Sequence, residues 1–341
     1  MADRPLVFFG TPDFAVPTLE ALCRAGRPPV LVVTQPSRPA GRGQRNQDSA
    51  VARWAAGHGL PVEQPERVRD PAFLERFAAL APEVAVVVAF GQIFPRALLA
   101  LPDRGCINLH ASLLPRYRGA APIQAAIAAG EAVTGNTTMQ MEAGLDSGPI
   151  LLQEELPISP RETAGELSTR LAAAGGRLMV ETLERLERGE LVARPQPHEL
   201  ATYAPRLTRD SGRADWTLTA KELFDRLRAF TPWPGLTAGL RGAPVKLVWG
   251  EVSSEARPGA SPGEFLGLRD GRAAVACGGG TVFGLETLQR PGRKPVPAAA
   301  FVNGERLAPG ELFSSSELSQ PAQPAEPAEP SEPAASAEPK A

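Results

Sequence analysis

Two short segments carry the side chains best suited to chemistry in this chain. The first reads Cys106-Ile107-Asn108-Leu109-His110-Ala111-Ser112-Leu113-Leu114-Pro115. Its opening five residues fit a β-strand, on which alternate side chains share a face. Asn108 and His110 therefore project together, and Ile107 and Leu109 project to the other side. The pair sets an amide, which can donate hydrogen bonds, beside an imidazole, which accepts and releases protons near neutral pH. Open α/β sheets bind ligands at the carboxyl ends of their strands, and this strand end would present both groups there. Ser112, Leu113, Leu114 and Pro115 follow as a polar-apolar-apolar-proline turn, able to line a pocket for a flat ring. The second segment, Gly144-Leu145-Asp146-Ser147-Gly148, is a glycine-flanked loop after another strand. Taken singly, Asn-x-His also fits a histidine satisfied at a strand end, and an aspartate beside glycine fits an ordinary turn. Together they mark a candidate site.

Little else in the chain competes with them. The three cysteines, Cys23, Cys106 and Cys277, are widely spaced and form no C-x-x-C, which speaks against a disulfide framework or a cysteine zinc site. His58, His110 and His198 are too far apart in sequence to read as a metal cluster, so organic chemistry without a metal is expected. The first strand leads into Gly10-Thr11-Pro12-Asp13 with no G-x-G-x-x-G, and a dinucleotide cofactor is not expected. A serine hydrolase using Ser112 is disfavoured by the proline three residues on and the lack of G-x-S-x-G.

The elements that must hold these groups follow from periodicity. Strands are expected at residues 6–10, 30–34, 84–90, 106–110 and 136–141, with helices at 14–25, 49–57, 71–80 and 123–129. Glu83-Val84-Ala85-Val86-Val87-Val88-Ala89-Phe90 is apolar almost throughout, as a parallel strand covered on both faces should be. Alternating β and α elements imply a doubly wound, mostly parallel, Rossmann-like sheet. Thr163-Ala164-Gly165-Glu166 has capping-box spacing and should open a long packing helix ending before Gly189. The periodicity then fades and Pro195, Pro197 and Pro205 appear, so residues 189–207 read as a linker. A second capping box, Thr219-Ala220-Lys221-Glu222, precedes short β-like runs at 236–240, 245–249, 264–268, 273–276 and 281–288. That pattern reads as a small barrel over residues 208–313, OB-like in type. Trp216 and Trp233 are expected to be core or turn residues.

The 341 residues carry a net charge of −2 and are 43% apolar. Residues 314–341 repeat Ala-Glu-Pro units and should be a disordered tail. They hold five glutamates and one lysine, and removing that −4 leaves residues 1–313 at +2, a balance that permits a nucleic-acid partner without demanding one. No apolar stretch approaches the roughly 20 residues of a membrane-spanning helix, and the first residues lack the layout of a signal or transit peptide. A cytoplasmic protein acting away from membranes is expected.

The order and identity of these segments resemble the folate-dependent formyltransferases, which include methionyl-tRNA and glycinamide ribonucleotide formyltransferases. The family's Asn-x-His, Ser-Leu-Leu-Pro and Asp-containing loop correspond here to Asn108 and His110, to residues 112–115, and to Asp146, and the likeness covers roughly residues 5–310. It implies that residues 1–188 form the catalytic formyltransferase domain and that Asn108, His110 and Asp146 are the catalytic set. Ser112, Leu113, Leu114 and Pro115 would contact the folate, and Phe90, Gly91, Gln92 and Ile93 would form another wall of its pterin pocket. The implied donor is 10-formyltetrahydrofolate, attacked by a neutral amine to give a tetrahedral oxyanion. Asn108 would donate to that oxyanion, His110 would accept or relay the amine proton, and Asp146 would hold the imidazole. Whether the proton moves through these side chains or through a water held by Asp146 is left open.

The acceptor is indicated elsewhere. Residues 34–45 hold Arg38, Arg42 and Arg45, no acidic residue, and enough glycine and proline to be expected as an irregular loop. Guanidinium groups suit phosphate through forked hydrogen bonds, although a merely solvated basic loop would look the same. The segment is similar to the methionyl-tRNA formyltransferase loop that enters the acceptor stem, with Arg42 at the matching position. Here the lysine-rich stretch of that loop is replaced by Gln44-Arg45-Asn46-Gln47-Asp48. Asp215-Trp216 and Arg228-Ala229-Phe230-Thr231-Pro232-Trp233-Pro234-Gly235 resemble the C-terminal domain of the same enzymes. Lys221, Arg226, Arg228, Arg241 and Lys246 are candidates for a basic barrel face. The resemblance implies formyl transfer to methionyl-initiator tRNA, and a monomer is expected. The alternatives are a folate-dependent formyltransferase acting on an amino sugar nucleotide, and a noncatalytic RNA-binding relative.

Overall fold

The computed structural model describes residues 5–40 and 45–315, with backbone alone at residues 39, 40 and 45. Two seven-stranded sheets organise the chain. The first begins with β1 (Leu6–Gly10), a short 3-10 turn at Asp13–Ala15 and helix α1 (Val16–Arg24), so residues 14–25 form two helical pieces instead of one. Pro17, near the start of α1, has no N–H to leave unsatisfied, which suits it to that position. Strand β2 (Leu31–Val33) leads to a two-stranded excursion, β3 (Arg38–Ala40) and β4 (Arg45–Gln47). Helix α2 (Ala50–Gly57), capped by the Ser49 hydroxyl, strand β5 (Val62–Glu63) and helix α3 (Pro71–Ala79) follow. Then come β6 (Val84–Val88), α4 (Arg96–Leu99), β7 (Cys106–His110), β8 (Arg118–Gly119), α5 (Pro122–Ala128), β9 (Val133–Gln140), β10 (Ile150–Pro157) and α6 (Ala164–Glu187).

The order across this sheet is β10-β9-β7-β6-β1-β2-β5. β5, β2, β1, β6 and β7 run parallel, and β9 and β10 add antiparallel strands beyond β7. All five residues of β1 and of β6 are buried, as expected for parallel strands sandwiched between helices. α6 starts on the capping box foreseen from Thr163 and Glu166. The mostly parallel α/β architecture is thus present, and β7 lies between its parallel and antiparallel parts. No helix among the described residues is long and apolar enough to cross a membrane.

The second sheet is antiparallel. After β11 (Tyr203–Ala204), which pairs outside it, and α7 (Ala220–Ala229), opened by the Thr219–Glu222 capping box, it contains β12 (Leu236–Leu240), β13 (Ala243–Ala256), β14 (Phe265–Arg269), β15 (Arg272–Ala276), β16 (Thr281–Gln289), β17 (Val296–Pro297) and, after α8 (Ala298–Glu305), β18 (Phe313–Ser314). Its path is β14-β15-β16-β13-β12-β18. Bonds from Phe265 N to Glu311 O and from Phe313 N to Gly263 O, each 2.8 Å, tie the β14 end to the segment entering β18 and close the path into a barrel. Trp216 is buried against Phe313, and Trp233, half exposed at 52%, is a turn residue, so each takes one of the two places expected. Ser314 pairs with Gly239 and the Ser315 hydroxyl accepts from Trp216 N, so these two residues belong to the barrel and not to a disordered tail. The rest of the expected tail, 316–341, lies outside the described residues.

One apolar cluster joins the two sheets. Ile123, Ala126 and Ile127 of α5 and Leu167 and Leu171 of α6 pack with Leu223, Phe224 and Leu227 of α7. The barrel cations do not form one open basic face. Arg228 is buried and held 2.8 Å from Asp225, Lys221 pairs with the same carboxylate at 2.5 Å, and Arg241 is paired with Glu311. Of the five, only Arg226 and Lys246 form no salt bridge among the described residues.

Candidate active site

The carboxyl ends of β1, β2 and β6 are stitched together by side chains that follow the strands. The Thr11 hydroxyl donates to the Phe90 carbonyl at 2.9 Å, and Gln35 Nε2 donates to the same oxygen at 3.2 Å. The Phe90 ring itself is buried, edge-on to Phe9 and Phe94, so its carbonyl and not its ring borders the strand ends. Gln92 braces the neighbouring loop, accepting from Val68 N at 2.8 Å and donating to Pro65 O at 3.2 Å. Gly91 is exposed with φ 89°, and Ile93 is 92% exposed.

β7 delivers Asn108 and His110 to this edge. Asn108 is half-buried, and no described residue hydrogen-bonds to its side-chain amide. His110 is buried at 6% exposure, yet both ring nitrogens face polar groups: Nε2 lies 2.9 Å from Tyr117 O, and Nδ1 lies 3.7 Å from Asp146 Oδ2. A carbonyl only accepts, so Nε2 carries the hydrogen in the neutral ring and the Nδ1 lone pair is turned toward the carboxylate. Two acceptors then face each other beyond hydrogen-bond distance, and a proton is what would join them. Cys106 opens the same strand, but burial pushes its thiol up to about 12, so it stays protonated and is no nucleophile.

The turn after β7 is held by groups the sequence reading did not single out. The Thr137 hydroxyl on β9 donates to Ser112 O at 2.6 Å and accepts from Leu114 N at 3.1 Å, while Gln153 on β10 donates to Leu114 O at 3.0 Å. Ser112 is fully buried and its hydroxyl donates to Arg116 O at 2.6 Å, closing its own turn. Leu114 packs with Met139 and Ile150, leaving Leu113 and Pro115 half-buried. Tyr117 adopts φ 60°, which turns its carbonyl toward His110. Its phenol, pushed up to about 12 by burial and by Glu131, donates to that carboxylate at 2.6 Å.

Asp146 comes from the loop between β9 and β10. It adopts φ 46°, a left-handed conformation that costs a non-glycine residue about 1–3 kcal/mol and persists only where surroundings enforce it. Here Gly119 N donates to Asp146 Oδ2 at 2.8 Å, and Gln196 Nε2 donates to Asp146 O at 2.9 Å. Gly119 belongs to β8, which pairs in parallel with β11 (Tyr203–Ala204) from the segment that joins the two sheets. Gly119 has φ 120°, and a Cβ there would sit 2.6 Å from the Ala204 carbonyl oxygen. Gly119→Ala is therefore expected to destabilise by about 1–3 kcal/mol, seen as a lower thermal midpoint. An unchanged midpoint would show that the β8–β11 approach tolerates a methyl group.

The arginine-bearing segment is not an irregular loop at its base. Arg38 pairs with Gln47, Pro39 with Asn46 and Ala40 with Arg45, so two antiparallel strands form its base. The Ser37 hydroxyl donates to Asp48 at 2.5 Å and Gln64 reaches the same carboxylate at 3.4 Å, closing the neck and holding that carboxyl below its ordinary range. No apolar alternation marks these strands, which is why sequence periodicity missed them. Arg38 is exposed and donates to Gln35 Oε1 at 3.3 Å. Arg42 lies outside the described residues, and only the backbone of Arg45 is described.

Known proteins place this geometry in a lineage. Residues 4–183 match the family model described as formyl transferase, and residues 206–306 match that of the formyl transferase C-terminal domain. The chain belongs to the formyl transferase family. Among curated members of this formyl transferase family, the methionyl-tRNA formyltransferase of Geobacter sulfurreducens is 45% identical, over 91% of this chain and 96% of its own. That of Koribacter versatilis is 48% identical over 88% of this chain and 96% of its own. A solved formyltransferase from Helicobacter canadensis, crystallised with folinic acid and dTDP-3-aminofucose, shares the fold at a TM-score of 0.62 with 18% identity, covering 83% of this chain and 98% of that one.

Proposed function

We propose that the protein transfers the formyl group of 10-formyltetrahydrofolate to the free amino group of methionyl-initiator tRNA, giving N-formylmethionyl-tRNA for translation initiation. The observation that carries the reading is that relatives 43–48% identical over 88–94% of this chain are named methionyl-tRNA formyltransferases. The site supports it with an uncommitted amide beside a histidine whose Nδ1 faces a carboxylate. In this reading the neutral amine attacks the formyl carbon, a new C–N bond forms, and the formyl oxygen becomes an oxyanion that Asn108 stabilises by donation. The bond to the folate nitrogen then breaks and that nitrogen takes up a proton, while the amine's proton leaves through the His110–Asp146 pair. Ser112, Leu113, Leu114 and Pro115, with Phe90, Gly91, Gln92 and Ile93, border the folate, Phe90 through its carbonyl.

The hairpin with Arg38, Arg42 and Arg45 is assigned to tRNA phosphate, and the enzyme is expected to act as a cytoplasmic monomer. The test is formyl transfer by the purified protein to charged initiator tRNA, with an amino sugar nucleotide as the competing acceptor. Rapid turnover on the tRNA alone supports the reading, and turnover on the sugar alone replaces it. A rate no greater than background on both leaves a binding protein. Arg42→Ala should weaken tRNA binding in a gel shift by about 10-fold, the equivalent of roughly 1–2 kcal/mol for one charge-assisted contact. Binding unchanged by this substitution would remove Arg42 from the interface.

A further inference from the structure

We propose that Gln196, on the segment joining the two sheets, is the positioning residue that holds Asp146 against His110, and that Arg118 fixes the orientation of the Gln196 amide. The inference deepens the reading above and rests on it. Gln196 is 4% exposed and its amide is fully committed. Oε1 accepts from Arg118 Nε at 3.0 Å and from an Arg118 terminal nitrogen at 2.6 Å. Nε2 donates to Asp146 O at 2.9 Å and to Gly148 O at 2.7 Å. A guanidinium only donates and carbonyls only accept, so these partners allow a single orientation of the amide.

The choice of residue is informative. Arg118 is buried at 3% exposure, and its remaining contact is to His198 Nδ1 at 3.3 Å, with no carboxylate partner among the described residues. A buried guanidinium is ordinarily met by a carboxylate. A glutamate at 196 would satisfy Arg118 more strongly but would turn a second oxygen toward two carbonyls. Unlike the carboxylate of the same length, the amide accepts from Arg118 and donates to the 146–148 loop at once. Gly148 leaves that loop little freedom, since a Cβ there would sit 1.8 Å from Gln140 O. Gln196 therefore secures the backbone side of a left-handed Asp146 whose carboxylate side is held by Gly119 N. The same segment also supplies Thr202, whose hydroxyl accepts from Tyr117 N at 2.8 Å, next to the carbonyl that meets His110. Both flanks of the His110–Asp146 pair are thus tied to residues 196–202.

Gln196→Glu separates this role from a structural one. It keeps and strengthens the Arg118 contact and removes both donations to the loop. The expected result is a cooperatively folded protein with a thermal midpoint within a few degrees of wild type, the gain at Arg118 offsetting the lost loop bonds, KM values for 10-formyltetrahydrofolate and charged tRNA within about twofold, and kcat lower by about 10- to 100-fold. Gln196→Met, which lacks donors and acceptors, should lower kcat similarly and also lower the midpoint by leaving Arg118 unpaired. If wild type turns over charged tRNA and the folded glutamate variant matches its kcat, the positioning role is overturned while the function stands. If the glutamate variant does not fold, a methionine variant with wild-type kcat overturns it equally. Absence of turnover by wild type itself overturns the functional reading and this role with it.

Discussion

Asp146→Asn is expected to lower kcat for formyl transfer by about 100- to 10,000-fold, the range over which positioned proton transfer contributes, with both KM values near wild type. The substitution preserves shape, so its effect isolates charge. One oxygen, Oδ2, both accepts from Gly119 N at 2.8 Å and faces His110 Nδ1 at 3.7 Å, so an asparagine that keeps the Gly119 bond turns an uncharged amide oxygen toward the ring. Nδ1 carries the lone pair of the neutral ring, because Nε2 donates its hydrogen to Tyr117 O. The imidazole would then face a neutral carbonyl where the wild type offers a carboxylate. It would take up the amine proton with no negative charge beside it to stabilise the imidazolium. Single-turnover rates at saturating substrates measure this directly. A rate within about twofold of wild type would remove Asp146 from proton transfer and leave it a loop anchor.

Asn108→Ala is expected to cost about 100- to 1000-fold in kcat, the usual loss when one donor to a developing oxyanion is removed. The structural argument is the lack of any other employment for this amide. It projects from the same face of β7 as His110, is half-buried, and has no hydrogen-bond partner among the described residues. A polar group held in place without a partner is ready for one that arrives with the reaction. Because the bond strengthens only as charge appears on the formyl oxygen, KM should move little while kcat falls. The thermal midpoint should stay within a few degrees of wild type, since no bond of the folded protein is lost. A drop in stability with kcat intact would assign Asn108 to the fold instead.

Both predictions depend on features that were legible in the sequence to different degrees. β1, β7 and β12 have the bounds expected from their apolar patterns, and α6 and α7 begin on the capping boxes read from Thr163–Glu166 and Thr219–Glu222. Those signals are local: a strand's alternation and a helix cap are settled within a few residues. β10 was missed because Gln153, Glu154 and Glu155 break the apolar run of a strand at the sheet edge. The β3–β4 hairpin was missed because its pairing involves no buried alternation at all, and α8 because its small residues carry little periodicity.

The sequence alone determined which chemistry is available, an amide and an imidazole two residues apart on one strand face and a carboxylate in a glycine-flanked loop. It also determined the kind of sheet that would carry them. Only the tertiary structure decided how the carboxylate is aimed. The 3.7 Å approach of His110 to Asp146 depends on Tyr117 and Gly119 in one turn and on Gln196 far along the chain, which show no periodicity or motif in common. The reason is physical: side-chain type and local backbone preference are written in neighbouring residues, whereas a hydrogen bond between Gln196 and the Asp146 carbonyl exists only after the chain has folded back on itself.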